Sequence, residues 1–208
     1  MLRSILPRVL DTKCNNIHRE DKSLADAVAF EVLGGYQAGV WDFVMPPLLI
    51  FNLFRHKRKR EAFILNFLFT KKIALETARD MVEQDLPHET AMQRAEEATG
   101  RVLAADTKGI YADKVRQRQL REIDLLARHY YRLIMAEGKT YEDMVRGAYP
   151  ERREYLDFVR RLNQAEKEVN HAALTTVGRN EAGLNFINKM EKAVEKIRQI
   201  DADRYFPA

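Results

Sequence analysis

Along most of the chain, apolar side chains recur every three or four residues with charged positions between them, the period of an α-helix with one buried face. Leu24, Val28 and Val32 share a stripe, and Ser23 with Asp26 has the Ser-x-x-acid spacing of a helix start. Gly34-Gly35 supplies its stop. From Leu48 to Asp85 there is neither Pro nor Gly, and Pro47 suits a first helical turn. One helix of about 38 residues, roughly 57 Å long, is therefore expected, with a break near residue 60 as the competing reading. Phe63, Phe67, Ala74, Ala78 and Met81 form its stripe. Leu65, Leu68 and Phe69 fall off that stripe, so Ala62 to Phe69 needs burial on several sides.

Leu86-Pro87 closes this element, and the small residues Ala91, Ala95, Ala98 and Val102 mark the next, suited to close helix packing. Thr107-Lys108-Gly109 reads as a turn. Ile123, Leu126, Ala127, Tyr130 and Ile134 predict a helix of about 25 residues, stopped by Gly138. Thr140 with Asp143 opens a short helix that Gly147 ends. Pro150 begins a long one with Leu156, Val159, Leu162, Val169 and Ala173 inward, broken at Gly178. Asn180 can cap the last, where Ile187, Met190, Val194 and Ile197 repeat at 3-4-3 spacing. Strand alternation and Asn-Gly or Asp-Gly hairpin signals are missing, and no repeat of 20 to 50 residues points to a solenoid. The expected fold is an all-α, multi-helix bundle of about six or seven helices, one or two of them long. Residues 1–21, with Pro7 and the polar Cys14-Asn15-Asn16, show no sustained period and read as a flexible N-terminal arm. Residues 22–208 then form a single helical domain.

Composition sharpens one region. The net charge is +4 over 208 residues. Residues 1–60 carry 10 Lys/Arg against 6 Asp/Glu, and the remainder carries 25 of each. The basic excess thus belongs to Arg55, Lys57, Arg58, Lys59 and Arg60. Directly before them lies an apolar, aromatic run containing Trp41, Phe43, Leu49, Phe51 and Phe54. From Gly39 to Phe54 that run has 16 residues, with Asp42, Asn52 and two prolines, short of the ~20 that span a bilayer. A polybasic stretch beside Trp and Phe matches an interfacial membrane element. It also suits phosphate contact with a nucleic acid, extended by Lys114, Arg116, Arg118 and Arg121. The bland alternative is a solvated face next to ordinary core.

Catalytic signatures are missing. The single cysteine, Cys14, excludes an intramolecular disulfide or a multi-cysteine metal site and favours a reducing compartment. Glu168-Val169-Asn170-His171 has the Glu-x-x-His form used in carboxylate-bridged metal bundles, but the second pair is lacking and His171 projects to the solvent side. Glu122 and His129 share a helix flank about 10 Å apart along the axis, too far for one metal ion alone. Gly34-Gly35 lacks the rest of a phosphate loop, and neither Ser4 nor Ser23 sits in a nucleophile elbow. No catalytic residue, metal site or cofactor is assigned, although a bundle enzyme without a local motif stays open as a third reading.

The functional expectation is a non-catalytic helical scaffold or adaptor that docks through residues 40–69 onto an anionic membrane surface or a protein partner, with a nucleic-acid-associated factor as the alternative. The seam Ile187, Met190, Val194 and Ile197 predicts a homo-oligomer, its alternative being packing within the chain. The N-terminus is too short in apolar length for a secretory signal, so a cytoplasmic position is expected, peripheral to the inner face of a membrane if the docking reading holds.

Overall fold

In the computed structural model, residues 7–34, 59–105, 111–176, 178 and 181–207 are described. They form seven helices and no strand, in the order α1 Pro7–Leu33, α2 Lys59–Glu83, α3 His88–Ala105, α4 Asp113–Met135, α5 Tyr141–Ala148, α6 Arg152–Thr176 and α7 Glu181–Tyr205. Helix α4 packs between α2 and α6, with α3 and α5 against it. Helix α1 lies along α2 and α7, and α7 also packs on α6. The expected helical bundle is therefore present.

Its centre is α4, whose buried positions Val115, Gln119, Ile123, Leu126, Tyr130 and Leu133 follow the helical period. The largest apolar cluster joins Ile123, Leu126, Tyr130 and Leu133 to Leu10, Cys14 and Ile17 of α1, Ile73, Ala74 and Ala78 of α2, and Val159 and Leu162 of α6. A second cluster brings Val28, Ala29 and Val32 at the end of α1 against Phe63 of α2 and Phe186, Met190 and Val194 of α7.

Residues 7–21 correct the expected arm: they are the first half of α1, and Leu10, Cys14 and Ile17 are buried. Two signals misled. Cys14 behaves as a small apolar side chain. The neighbouring polar residues serve the end of α4, where carbonyls lack helical partners, and the turn that follows it. Lys13 Nζ donates to the carbonyls of Ile134 (2.8 Å) and Ala136 (2.5 Å), and Asn16 Nδ2 donates to Lys139 O at 2.7 Å. Ser23 accordingly lies inside α1, exposed, and starts nothing.

Several stops fall where expected. Gly34 N donates to Phe30 O at the end of α1. Gly138, at φ 128°, turns the chain from α4 into α5, and a Cβ there would lie 2.4 Å from Asp143 Cβ. Thr140 and Asp143 form a reciprocal capping box, at 3.1 and 3.2 Å. Of the long element expected over 48–85, the described part runs as helix from Lys59 to Glu83. The residue that turns it toward Pro87 is Asp85, at φ 51°.

The seam of α7 is not a free surface. Ile187, Met190 and Val194 are buried within the chain, and Ile197 packs half-buried on the second cluster. The alternative of packing within the chain is the observed one, because the end of α1 covers that face.

Candidate functional site

Charged side chains occupy inward positions on four helices and meet in the interior. Lys71 stands on α2 between Thr70 and Ile73, both buried. Glu166 follows Ala165 on α6, and Arg198 sits one turn from Val194 and Ala202 on α7, so the helical period turns each of them inward. Glu166 accepts from Lys71 Nζ at 3.0 Å and from both Arg198 terminal nitrogens at 2.6 and 2.7 Å. Arg198 also donates to Asn163 Oδ1. Glu122, on α4, faces the same cluster but makes no hydrogen bond among the described residues.

The electrostatics separate the two carboxyls. Burial pushes Glu166 up, but Arg198 and Lys71 outweigh it and hold the carboxyl below the usual range. Glu122 is raised well above that range, first by burial and then by the negative charge of Glu166. At neutral pH the cluster therefore holds an ion triad and, beside it, an uncharged carboxylic acid. Asp21 of α1 accepts from Tyr130 Oη at 2.8 Å, and burial raises its carboxyl to about 6.

Two cavities flank the triad. One, of ≈ 80 Å³, lies between α2, α4, α6 and α7, with Lys71, Glu122 and Glu166 at its polar side and Phe63, Phe67 and Phe186 at its apolar side. The other, of ≈ 50 Å³, is lined by Lys71 and Arg198 together with Asp21, Tyr130 and Tyr155.

The other titratable candidates have structural partners. His129 Nδ1 lies 2.8 Å from Tyr149 Oη, its ring stacks on Phe158, and burial lowers its pKa to about 3, with Arg132 adding to the shift. The imidazole is neutral. His171 is half-exposed, 3.7 Å from Glu191 Oε1. His88 Nε2 meets Asp124 Oδ1 at 2.5 Å. Cys14 is buried and its thiol is raised by that burial, the reverse of what a nucleophile needs. Among the described residues no three His, Cys, Asp or Glu side chains form a group able to hold a metal ion.

Of the contact residues expected from sequence, Trp41, Phe43, Leu49, Phe51, Phe54, Arg55, Lys57 and Arg58 lie outside the described residues. Lys59 is the first residue of α2. Arg60, 56% exposed, reaches back to Asp26 Oδ1 of α1 at 2.9 Å. Within the rest of the 40–69 stretch, Phe63 is core, while Leu65 is 47% exposed. The basic residues of α4 divide. Lys114 and Arg118 line an open groove with Lys167 and His171, whereas Arg116 is engaged with Glu96 O and Thr99 Oγ1. No helix among the described residues is long and apolar enough to cross a membrane.

The interior cluster was not predicted from sequence, although a signal existed. Lys71, Glu122, Glu166 and Arg198 each fall on the apolar stripe of their own helix, and a charge at such a position needs a partner or a ligand. Comparison of the chain with protein-family models, curated proteins and solved structures gives no match.

Proposed function

We propose that the chain is a non-catalytic helical protein that docks onto an anionic membrane surface through the run from Val40 to Arg60. One observation carries this reading. The end of α1 and the start of α2 are held together, by Arg60 with Asp26 at 2.9 Å and by Val28 and Val32 in one cluster with Phe63. The two described helix ends that flank that run therefore lie together at one end of the bundle. The run's sequence is the most lopsided in the chain, aromatic first and cationic after. Phe30, 77% exposed in the last turn of α1, adds a large apolar side chain at that end. Cations contribute about 1 kcal/mol each near an anionic surface, and aromatic burial adds roughly 25 cal/mol per Å². With the cations against anionic headgroups, the protein is peripheral to the inner face of a membrane.

Co-sedimentation with vesicles of phosphatidylserine and phosphatidylcholine tests this. The parent should bind, and binding should fall as salt rises past ~0.1 M, where the Debye length is about 10 Å. Replacing Arg55, Lys57, Arg58 and Lys59 with Gln should remove the salt-sensitive part. Arg60 is left in place because it holds Asp26. Trp41→Ala with Phe43→Ala should weaken the part that survives salt. Variants that fold and bind like the parent would defeat the proposal. A parent that ignores vesicles but binds RNA or DNA with a steep salt slope would replace it with the nucleic-acid reading.

A further inference from the structure

We propose that the cavity between α2, α4, α6 and α7 is a binding site for a small organic cation, a primary amine or amidinium with a compact apolar body. The inference is independent of the membrane reading and rests on how the charges around the cavity are paired. Every cation that lines it is already matched. Lys71 is bonded to Glu166 at 3.0 Å, and Lys167 to Glu195 at 2.7 Å. Arg198, just behind, is held by Glu166 in two hydrogen bonds. Two other lining carboxyls are less fully matched. Glu122 is 5% exposed and makes no hydrogen bond among the described residues. Glu191 accepts from the Asn170 side chain, but its Oε1 stays buried without a hydrogen bond, with His171 Nε2 at 3.7 Å.

The unmet demand is for donors. Asn66 Oδ1, on the same wall, is a second buried oxygen without a partner. A buried polar atom left unpaired is costly, and two such acceptors beside a carboxyl that can ionise, Glu122, call for a ligand rich in N–H groups. An anion is disfavoured, because Lys71 and Lys167 are spent and four carboxyls face the space. The opposite wall is aromatic: Phe63 and Phe67 stack at 5.9 Å, and Phe186 meets Phe63 edge-on at 6.4 Å. Phe67 already carries one cation, Lys71 Nζ, at 4.7 Å from the ring centre. The volume, ≈ 80 Å³, sets the scale. It is about half of the ~150 Å³ cavity known to hold benzene, so the enclosed part of the ligand has a handful of heavy atoms. Lys167 and Glu195, 35% and 45% exposed, mark the side open to solvent, where a longer chain could leave.

Binding should be accompanied by loss of a proton. Glu122 is uncharged at neutral pH in the empty cavity, because of burial and Glu166. A cation brought beside it favours the ionised form.

Calorimetric titration of the full-length chain with n-butylammonium at pH 7, in two buffers of different ionisation heat, reads both binding and proton release. Butyrate and n-butanol serve as matched probes. The expected result is saturable binding of n-butylammonium with release approaching one proton, and at least tenfold weaker binding of the other two. Glu122→Gln should weaken n-butylammonium at least tenfold and remove the proton release. Should that variant not fold, Glu191→Gln, nearer the surface, should weaken binding severalfold while proton release persists. The proposal is overturned if n-butylammonium shows no saturable binding, if butyrate or n-butanol binds as well, or if the folded variants bind like the parent.

Discussion

Glu122 and His129 sit on the same helix, seven residues apart, both buried, yet they are held in different ways. Around His129 the neighbours are aromatic: Tyr149 supplies a hydroxyl at 2.8 Å, Phe158 stacks on the ring at 4.1 Å, and Tyr155 packs on Tyr149. Burial there keeps the group neutral, and a single neutral partner satisfies it. Around Glu122 the neighbours are ionic: Lys71, Glu166 and Arg198 arrive from three other helices. That neighbourhood keeps three charges in the interior and leaves Glu122 itself protonated and unbonded. Both groups gave up charge on burial. The difference is that the aromatic end is complete within itself, whereas the ionic end has acceptors to spare.

The largest effect should come from breaking the ionic end at its centre. Arg198→Ala removes both strong bonds to Glu166 and the bond to Asn163. It leaves a buried carboxylate with Lys71 alone, at 3.0 Å. Removing one partner of a buried ion pair costs about 3–5 kcal/mol. Urea unfolding of parent and variant would measure it. A loss under 1 kcal/mol would mean that Glu166 reaches solvent in solution, and the contrast with the aromatic end would disappear.

The pattern of buried faces was legible in the sequence, and the partners across those faces were not. The stripe of Ile123, Leu126, Tyr130 and Ile134 foretells α4 because one helix needs only its own period. Thr140 with Asp143 is likewise a local signal, and the capping box forms. The ionic cluster has no local form. Lys71 and Glu166 lie 95 positions apart, so nothing in either neighbourhood names the other. The same limit hid the first half of α1, whose Lys13 makes sense only once the end of α4, 121 positions on, is beside it. A charge on an apolar stripe was visible, and it marks where a distant partner must come from.

A second measurement separates the two ends by pH. Glu122 has a folded-state pKa raised above the ordinary carboxyl value of 4.5, so between those two values the folded chain holds a proton that the unfolded chain has lost. Its contribution is complete below pH 4.5 and is lost as pH rises through the folded-state pKa, at up to about 1.4 kcal/mol per pH unit. His129 acts in the opposite sense. Its folded pKa is about 3 against 6.5 unfolded, so the unfolded chain binds the extra proton and stability falls as pH drops from 6.5 toward 3. Glu122→Gln should therefore flatten the profile from pH 4.5 upward, toward its alkaline side, and leave the limb below pH 4.5 unchanged. Urea midpoints between pH 4 and 9 would record this. An alkaline slope that persists in the variant would assign the proton to another group.

The smallest effect is expected at the aromatic end. Tyr149→Phe deletes the hydroxyl that faces His129 Nδ1 and keeps the ring. The ring contacts with Tyr155 at 5.5 Å and Phe158 at 5.9 Å survive, as does the packing of the Arg132 guanidinium, 4.2 Å from the ring centre. What is lost is one neutral hydrogen bond, with His129 Nδ1 left buried and unpaired, a cost of about 1–2 kcal/mol. His129 must stay neutral in the variant, because burial, and not the hydroxyl, is the main cause of its low pKa. The acid limb of the stability profile should therefore keep its shape and shift down uniformly. If Tyr149→Phe instead costs as much as Arg198→Ala, the aromatic end is no more self-contained than the ionic one, and burial alone does not explain how the two differ.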